Sequence, residues 1–235
     1  MKIAETFYSI QGEGRYAGVP AYFVRLSGCN LMCKWLKKDG VTYEPCDTVA
    51  IWKVTKEEIT PEDMVARIMQ VLPPGGHVVI TGGEPMLQKA EVAKLLDALH
   101  AQHIFVELET NGTIQTEIYW MFDQINWSPK MSSAGYGMDF YTKSGAFAFW
   151  RDFISNWNTP IDMKVVIGND KDYAEMREWV KELGIDHENV FLMPLSLTRA
   201  EMIETGQWLV QKCMTDGFTF SPRLQLLLWD KTVGV

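Results

Sequence analysis

The sequence has little cysteine and histidine, with four of each in 235 residues, and it has no long apolar run. Because a membrane span needs about eighteen or more uninterrupted apolar residues, a membrane protein is excluded. The opening MKIAETFYSI lacks the basic-then-apolar pattern of a secretory signal. Four cysteines are also too few for a disulfide-stapled secreted fold. Together these absences predict a cytoplasmic protein.

The chain is acidic overall. Its formal net charge is -8, and no run of lysine or arginine is long enough to follow a phosphate backbone, which argues against nucleic acid as a partner. A content of 47% hydrophobic and 22% charged residues is typical of a globular α/β chain that buries a core. The Pro/Gly break at 73–76 is too short for a linker, so one domain over 1–235 is expected.

Short apolar runs alternate with helical periods. Helix signals include Pro61 after an N-cap Thr60, the repeat from Val92 to Leu99, the stop at Gly184 and a capping box from Thr198. Buried strands are predicted over 21–27, 77–81, 104–109, 163–167 and 190–193. This alternation predicts βαβ units with a mainly parallel sheet, either a partial barrel or a doubly wound sheet.

Three polar motifs follow three of these strands directly. Cys29 follows the run ending at Leu26, Gly82-Gly83-Glu84-Pro85 follows Ile80, and Thr110-Asn111-Gly112 follows the run ending at Glu109. Ligands of α/β proteins sit at the carboxyl ends of the strands. We therefore expect the three motifs to meet at one edge of the sheet.

Three of the four cysteines, Cys29, Cys33 and Cys46, lie within eighteen residues in the spacing C-x3-C-x12-C. Thiolates are soft ligands suited to zinc or iron-sulfur clusters, and three of them leave one metal site free for another ligand. Structural zinc normally has four protein ligands, and no histidine lies in this loop. Buried core thiols are the other alternative, and Cys213 is interpreted as a core residue.

The Gly-Gly-Glu-Pro motif has a physical rationale of its own. Gly82 and Gly83 let the backbone approach a ligand, Glu84 can accept from a ligand ammonium, and Pro85 ends the strand. An ordinary strand-to-helix turn is the alternative reading. Likewise, Asn111-Gly112 is a common turn pair, and Ser128-Pro129-Lys130 is compatible with a surface loop.

A C-x3-C motif after one strand and Gly82-Gly83-Glu84-Pro85 after the next resemble the radical S-adenosylmethionine superfamily. The resemblance implies a partial parallel β/α barrel and a [4Fe-4S] cluster on Cys29, Cys33 and Cys46. It also implies S-adenosylmethionine on the remaining iron, from which a 5'-deoxyadenosyl radical forms.

Further motifs narrow the resemblance to the 7-carboxy-7-deazaguanine synthase family. They are Phe7 to Gly14, Gly18-Val19-Pro20, Phe23 to Leu31, Cys46-Asp47-Thr48, Glu109 to Thr113, Ser128-Pro129-Lys130, Lys164-Val165-Val166 and Ser221 to Gln225. This family contracts the ring of 6-carboxy-5,6,7,8-tetrahydropterin to 7-carboxy-7-deazaguanine with loss of ammonia, in the biosynthesis of queuosine and other 7-deazapurines, and Mg2+ supports the reaction.

The resemblance also implies roles for single residues. The predicted substrate residues are Gln11, Glu13, Gly14 and Arg25, and Arg25 suits the substrate carboxylate because its guanidinium can pair with it in bidentate fashion. An arginine within an apolar strand needs a buried anionic partner, whereas Gln11 and Glu13 could simply be solvated. Thr48 is predicted to offer an oxygen to Mg2+. The predicted S-adenosylmethionine residues are Gly82, Gly83, Glu84, Thr110, Ser128 and Lys130.

The sequence departs from the superfamily at the enlarged cysteine loop, 34–45, where the usual spacing is C-x3-C-x2-C. Pro45 replaces the aromatic that precedes the third cysteine, and Tyr43 or Trp35 is a candidate substitute. The basic segment 34–38 could dock an acidic electron donor such as flavodoxin, or be merely solvated.

Three other expectations concern the rest of the chain. The glycine-rich stretch 134–144 is expected to be a lid or a disordered segment. A homodimer is expected from sheet faces left uncovered. Five tryptophans are assigned to the core or a subunit interface: Trp120, Trp127, Trp150, Trp157 and Trp208.

Two other functions remain open. A glycyl-radical activase of the same superfamily would share the cysteines and Gly82 to Pro85, but not the substrate set Gln11, Glu13 and Arg25. A non-catalytic iron-sulfur or zinc module for redox sensing would need neither Gly-Gly-Glu-Pro nor Ser-Pro-Lys. The additional motifs favour the synthase.

Overall fold

The computed structural model describes residues 1–36, 41, 43–156, 158–230 and 232. Its strands are β1 (Lys2–Ile10), β2 (Pro20–Leu26), β3 (Lys34–Leu36), β4 (Tyr43–Pro45), β5 (Glu57–Glu58), β6 (His77–Gly82), β7 (Phe105–Thr110), β8 (Gln124–Trp127), β9 (Ile161–Ile167), β10 (Val190–Pro194) and β11 (Thr219–Phe220). One sheet has the order β11-β10-β9-β8-β7-β6-β2-β1-β5, and β3 pairs with β4 alone.

The helices follow the strands along the chain. They are α1 (Val49–Trp52), α2 (Pro61–Ile68), α3 (Lys89–His100), α4 (Met138–Lys143), α5 (Ala146–Asn156), α6 (Asp170–Leu183), α7 (Arg199–Asp216) and α8 (Leu224–Trp229). Short 3-10 turns lie at Pro85–Gln88, Glu117–Met121, Ser132–Ala134 and His187–Asn189. No helix within the described ranges combines the length and apolarity that a membrane crossing requires.

In the nine-stranded sheet, all pairs between β11 and β2 in the order given above are parallel. β1 pairs antiparallel with β2 and with β5. In the part of the chain that is described, β5 and β11 are the two ends of the sheet, so it does not close on itself. α-Helices lie in the crossovers between the parallel strands, except between β7 and β8, where the connection contains the 3-10 turn Glu117–Met121. The predicted partial parallel β/α barrel is confirmed.

The predicted helix boundaries follow from local chemistry. The Thr60 side chain accepts from the Asp63 amide at 3.1 Å, and the Thr198 side chain accepts from the Glu201 amide at 3.2 Å. Gly184 ends α6 with φ 66°, in the left-handed region where glycine carries no Cβ penalty. These side chains satisfy amides that a helix start leaves without an internal partner.

One face of the sheet packs under the helices. Val78, Ile80 and Trp127 belong to a core that also contains Leu95 and Trp150 from α3 and α5. Because side chains alternate along a strand, residues two apart share a face. The opposite face is apolar at Phe23 and Val79 and polar from β7 to β9. Its polar side chains are His77, Glu107, Glu109, Asn126, Asp162 and Lys164.

Some expectations differ from the structure. Segment 134–144 contains α4, and its Tyr141 is fully buried, so this stretch is an ordered element and not a disordered excursion. Trp127 and Trp150 are in the core, Trp208 is half-buried, and Trp120 is 55% exposed, which contradicts a core role for Trp120. Trp157 lies outside the described residues. One domain over 1–235, with an enlarged loop at 34–45, stays a prediction.

Candidate functional site

The three clustered cysteines meet at the carboxyl end of the parallel strands. Cys29 follows β2, and its Sγ accepts from the Leu31 amide at 3.4 Å. The Cys46 amide donates to the Cys33 carbonyl oxygen at 3.1 Å. Leu31 and Ala134 pack with all three cysteines in one small cluster. The two ends of the chain segment between Cys33 and Cys46 therefore lie side by side.

This donor set fits an iron-sulfur cluster better than a single zinc ion. In the described part of the chain, no three histidine, cysteine or acidic side chains are grouped so that they could hold one metal ion. A [4Fe-4S] cluster takes its thiolates on separate irons, so its ligands need not converge on one point. Burial raises the pKa of Cys29, and it raises the pKa of Cys33 to about 11. Both thiols need a cationic partner to ionise.

The two glycines of Gly82-Gly83 let β6 end against the start of the cysteine loop. A Cβ on Gly82 would lie 2.5 Å from the Leu26 carbonyl oxygen, and a Cβ on Gly83 would lie 2.5 Å from the Cβ of Cys29. The Glu84 amide donates to the Gly28 carbonyl oxygen at 2.9 Å. Any larger residue at 82 or 83 would displace this loop.

Glu84 is fully buried and joins the ends of β6 and β7. Its carboxylate accepts from the Met86 amide at 3.0 Å, the Asn111 amide at 2.8 Å and the Thr110 hydroxyl at 2.9 Å. Burial raises the pKa of Glu84, while these hydrogen bonds act against the rise. The contacts of Glu84 are therefore structural, and its contact with a ligand ammonium stays a prediction.

Ser128 and Lys130 stand next to the same turn. The Ser128 amide donates to the Thr110 carbonyl oxygen at 2.8 Å, and Lys130 Nζ donates to Ser128 Oγ at 2.8 Å. The positive charge of Lys130 acts to lower the pKa of Cys29 and Cys33, which burial otherwise raises. The segment 128–130 is thus part of the cysteine site and not a detached surface loop.

The loop between β1 and β2 forms a second group beside the first. Gln11 is buried, and its amide donates to Glu107 Oε1 at 2.5 Å. The Gly14 amide donates to Ser221 Oγ at 2.8 Å, and Gly14 has φ 68°. The alternative of a solvated loop is wrong for Gln11, because the residue is only 4% exposed.

Glu13 is the centre of this second group. Its Oε2 accepts from Lys164 Nζ at 2.8 Å, and its Oε1 accepts from Arg223 Nε at 3.1 Å and from Gln225 Nε2 at 2.7 Å. Burial acts to raise the pKa of Glu13, but the attraction of Lys164 and Arg223 outweighs it and holds the pKa well below the usual range. Glu13 is therefore a buried carboxylate held ionised, and not a solvated one.

Arg25 has the anionic partner that an arginine within a strand requires. Its Nε donates to Glu5 Oε1 at 2.8 Å, between β2 and β1. The side chains are 15% and 12% exposed. The positive charge of Arg25 also acts to lower the pKa of Asp47, although less than that of Arg223 does.

Thr48 is the N-cap residue of α1, and its Oγ1 lies 3.3 Å from Cys46 Sγ. Its neighbour Asp47 accepts from Arg223 at 2.5 Å. Because Arg223 contacts both Asp47 and Glu13, it links the cysteine group to the second group. The two groups are parts of one site.

Comparisons with known proteins agree with this geometry. Residues 10–124 match the family described as a 4Fe-4S single cluster domain. A protein named 7-carboxy-7-deazaguanine synthase from Halobacterium salinarum is 32% identical over 98% of this chain and 91% of its own length. One of the same name from Pyrobaculum aerophilum is 33% identical over 100% and 97%. The chain belongs to the 7-carboxy-7-deazaguanine synthase family. The predicted class, a radical S-adenosylmethionine lyase, is thereby confirmed.

Solved structures support the same family. The crystal structure of QueE from Escherichia coli is 26% identical, covers 93% of this chain and 92% of that chain, and has a TM-score of 0.63. The structure of anSMEcpe with bound AdoMet and a peptide is 14% identical, with a TM-score of 0.52 over 83% of this chain and 62% of that chain. This second likeness concerns the fold alone.

From the sequence alone, no site role is assigned to four charged residues of this candidate site. Glu109, Lys164 and Arg223 are named only as parts of family motifs, and Glu107 is not named. A signal existed for Lys164, which interrupts the apolar run of β9 just as Arg25 interrupts that of β2. Lysine is almost never buried unless it is paired. The same argument that pointed to Arg25 therefore also points to Lys164.

Two surface cavities lie elsewhere. One of about 480 Å³ is lined by Arg15, Gln124 and Asp162, at the amino ends of β8 and β9. Another of about 760 Å³ lies beside α6, near Arg177 and Asp216. Neither includes a cysteine of the cluster or a residue of the Gly-Gly-Glu-Pro turn, so the cavities do not mark the site.

Proposed function

We propose that this chain converts 6-carboxy-5,6,7,8-tetrahydropterin to 7-carboxy-7-deazaguanine by ring contraction with loss of ammonia, in the biosynthesis of queuosine or another 7-deazapurine. The observation that carries the proposal is the contact of Arg223 with both Asp47, beside Cys46, and Glu13. A group of cysteines suited to radical chemistry thus adjoins a buried acid-base group suited to a polar ring.

Cys29, Cys33 and Cys46 hold the [4Fe-4S] cluster in this proposal. When bound, the cluster and S-adenosylmethionine supply a radical that abstracts hydrogen from the substrate. The three thiols and the adjacent Lys130 fit the group, because a nearby cation favours thiolates that burial disfavours.

The S-adenosylmethionine residues in the proposal are those around the same turn: Gly82, Gly83, Glu84, Thr110, Ser128 and Lys130. Glu84 fixes the ends of β6 and β7 through its three protein donors, which holds Thr110 in place. Gly82 and Gly83 allow close approach of the backbone. Their part is to orient the cofactor and exclude water.

The substrate residues in the proposal are Gln11, Glu13, Gly14 and Arg25. Glu5 accepts a hydrogen bond from Nε of Arg25 only. Among the described residues, the two terminal nitrogens of Arg25 donate to no protein atom. They suit the substrate carboxylate, since guanidinium pairs with carboxylate through two parallel hydrogen bonds. Glu13, held ionised, accepts hydrogen bonds from the ring.

Thr48 provides a hydroxyl oxygen to Mg2+ in the proposal. Mg2+ commonly keeps several waters and takes few protein ligands, which suits a site with one hydroxyl next to the substrate. The position of Thr48 beside Cys46 supports this, because an ion bound to its hydroxyl would lie next to the cysteine group.

We also propose that the cysteine loop docks an acidic electron donor such as flavodoxin. Lys34 lies over the Tyr43 ring at 4.9 Å, and Leu36 and Tyr43 are about half exposed. A positive patch steers an anionic partner toward the cluster. The remaining lysines of segment 34–38, Lys37 and Lys38, lie outside the described residues.

A homodimer and a cytoplasmic location complete the proposal. The homodimer is proposed because the sheet is open in the described part of the chain, which leaves sheet surface that a second copy can cover. All four cysteines are free, as suits a reducing compartment.

The experiment is anaerobic incubation of the reconstituted protein with dithionite, S-adenosylmethionine, Mg2+ and 6-carboxytetrahydropterin. Mass spectrometry then follows 5'-deoxyadenosine and 7-carboxy-7-deazaguanine. Both products support the proposal. Deoxyadenosine alone would retain the radical enzyme and reject the substrate, and neither product from protein with an intact cluster would favour a sensing role.

Arg25→Ala tests the carboxylate assignment. We expect a loss of roughly 100-fold in kcat/KM, because truncating one partner of a buried charge pair is costly, with the iron content retained. Arg151→Ala is the matched control, since Arg151 is exposed on α5. Unchanged turnover in Arg25→Ala would reject the assignment.

A further inference from the structure

Lys164 lies on the polar face of β9 with its side chain 3% exposed. Its Nζ lies 2.8 Å from Glu13 Oε2, and 2.6 and 2.7 Å from the two carboxylate oxygens of Glu109. Glu13 comes from the loop after β1, whereas Glu109 is in β7. One ammonium group therefore bridges two acids that are far apart in the sequence.

The ammonium group has no donor left for a ligand. A lysine carries three N–H donors and no acceptor, and the three contacts to Glu13 and Glu109 use all of them. In the described part of the chain, Lys164 therefore contacts the site through these two carboxylates.

The two carboxylates do have capacity left. Among the described residues, Oε1 of Glu13 accepts from Arg223 and Gln225, whereas its Oε2 accepts from Lys164 alone. Within the same residues, Oε1 of Glu109 accepts from Lys164 and Asn126, whereas its Oε2 accepts from Lys164 alone. Each carboxylate oxygen can accept about two hydrogen bonds. The two Oε2 atoms next to Lys164 thus keep acceptor sites for the N–H groups of a ligand.

We propose that Lys164 is a positioning residue that holds Glu13 and Glu109 ionised, and at a fixed separation, for the donor edge of the substrate ring. The inference rests on the proposed function and deepens it, because it names the residue that positions the two protein carboxylates for the substrate.

The electrostatics around Lys164 support this role. Burial acts to raise the pKa of Glu109, and although Lys164 opposes the rise, the pKa remains raised. Glu107, whose carboxylate shares the Asn126 side chain with Glu109, adds a further negative charge. Without Lys164, one of the two acids would take up a proton and turn an acceptor into a donor.

Two substitutions separate charge from packing. Lys164→Met preserves the length of the side chain and removes its charge, whereas Lys164→Arg keeps the charge and changes the shape. We expect kcat/KM for the pterin to fall roughly 100-fold in Lys164→Met, the loss that a misplaced contact group causes. Lys164→Arg retains at least about tenfold more activity than Lys164→Met. Iron content and S-adenosylmethionine affinity stay at the wild-type level.

The control is Lys181→Met, because Lys181 is exposed on α6 and its loss should leave kcat/KM unchanged. A kcat/KM of Lys164→Met equal to that of the wild type, or higher than that of Lys164→Arg, overturns the inference. A residue needed only for packing would be replaced better by methionine than by arginine. If Lys164→Met does not fold, the double variant Lys164→Met/Glu109→Gln replaces it in the test, because it removes one charge of each sign. We expect this double variant to be at least about tenfold less active than Glu109→Gln alone, and equal activity overturns the inference.

The wild-type reaction distinguishes the two levels of the argument. Absence of 7-carboxy-7-deazaguanine from wild-type protein with an intact cluster overturns the proposed function, and this inference with it. Product from the wild type together with full activity of Lys164→Met overturns the inference alone.

Discussion

The Cys46 amide lies 3.1 Å from the Cys33 carbonyl oxygen, although twelve residues separate the two cysteines in sequence. β3 and β4 pair antiparallel between them, with Lys34 opposite Pro45 at the base. The β3–β4 hairpin, defined by the paired strands Lys34–Leu36 and Tyr43–Pro45, therefore leads away from the cysteines and back to them. This explains how a C-x12-C spacing can serve a site that the superfamily builds with C-x2-C.

Removing residues 35–44 should preserve the cluster. The deletion joins Lys34 to Pro45 and gives the spacing C-x3-C-x2-C. Paired Cα atoms lie about 4.5 to 5.5 Å apart across an antiparallel ladder, whereas a peptide bond joins Cα atoms about 3.8 Å apart, so a small shift suffices. We expect wild-type iron content and dithionite-driven turnover, measured anaerobically.

The same variant also tests the docking proposal. With reduced flavodoxin in place of dithionite, turnover should fall, because the deletion removes the exposed residues Leu36 and Tyr43 together with Lys37 and Lys38. Equal flavodoxin-driven turnover would reject docking at this hairpin. Loss of iron would instead mean that the hairpin helps to form the cysteine site.

Cys46→Ala should lose the cluster, and Cys213→Ala should keep it. Cys46 packs with the other two cysteines, whereas Cys213 is buried in α7 with the main core. We expect about four iron atoms per chain in the Cys213 variant, as in the wild type, and a large loss in the Cys46 variant. Full iron content and activity after loss of Cys46 would contradict the three-ligand scheme.

Glu13 should make the stability of the fold depend on pH. Its pKa is held below the ordinary value of 4.5, so in acid the unfolded chain binds a proton that the folded one does not. Its contribution is present above pH 4.5 and is lost as pH falls toward the folded pKa. Relative to Glu13→Gln, the wild type should lose about 1.4 kcal/mol of unfolding free energy per pH unit in that window.

Urea unfolding at several pH values between about 6 and 3.5 measures this difference. The comparison with Glu13→Gln cancels the contributions of the other carboxyl groups. A difference that stays constant across the range would mean that Lys164 and Arg223 do not hold Glu13 ionised.

The parallel strands β2, β6, β7, β9 and β10 could be predicted because they contain buried apolar runs such as Val78-Val79-Ile80. β1 escaped prediction because its pairing is antiparallel and its exposure is mixed. β8 escaped because it has only four residues, two of them polar. In short polar segments, the tertiary contacts decide the structure, and the local pattern does not.

The candidate site also has a part that could be predicted from the sequence and a part that could not. The cysteines, Gly82 to Glu84, Thr110 and Ser128 follow strand ends, so their proximity follows from the topology of a parallel sheet. The contact between Glu13 and Lys164 spans 151 residues, and that between Glu13 and Arg223 spans 210. No local pattern encodes such pairs, although a lone cation in an apolar strand signals that a partner exists.

Gly112→Ala should destabilise the fold strongly. Gly112 has φ 73°, and a Cβ there would overlap the Trp127 indole and lie 2.6 Å from Trp150 Nε1, whose N–H donates to the Gly112 carbonyl oxygen at 2.7 Å. The left-handed backbone costs about 1 to 2 kcal/mol for alanine, and overpacking costs about 1 to 3 kcal/mol more.

Gly184→Ala is the matched control, because Gly184 has φ 66° but nothing within 4 Å of an added Cβ. It should carry the backbone cost alone. For a chain of this size, about 2 to 5 kcal/mol lowers Tm by roughly 5 to 15 °C, and the control should lose about half or less of that. Since Gly112 adjoins Thr110 and Asn111, the same variant should also lose S-adenosylmethionine affinity, which the control retains. Equal Tm values for the two variants would show that the Trp127 and Trp150 side chains move aside at no cost.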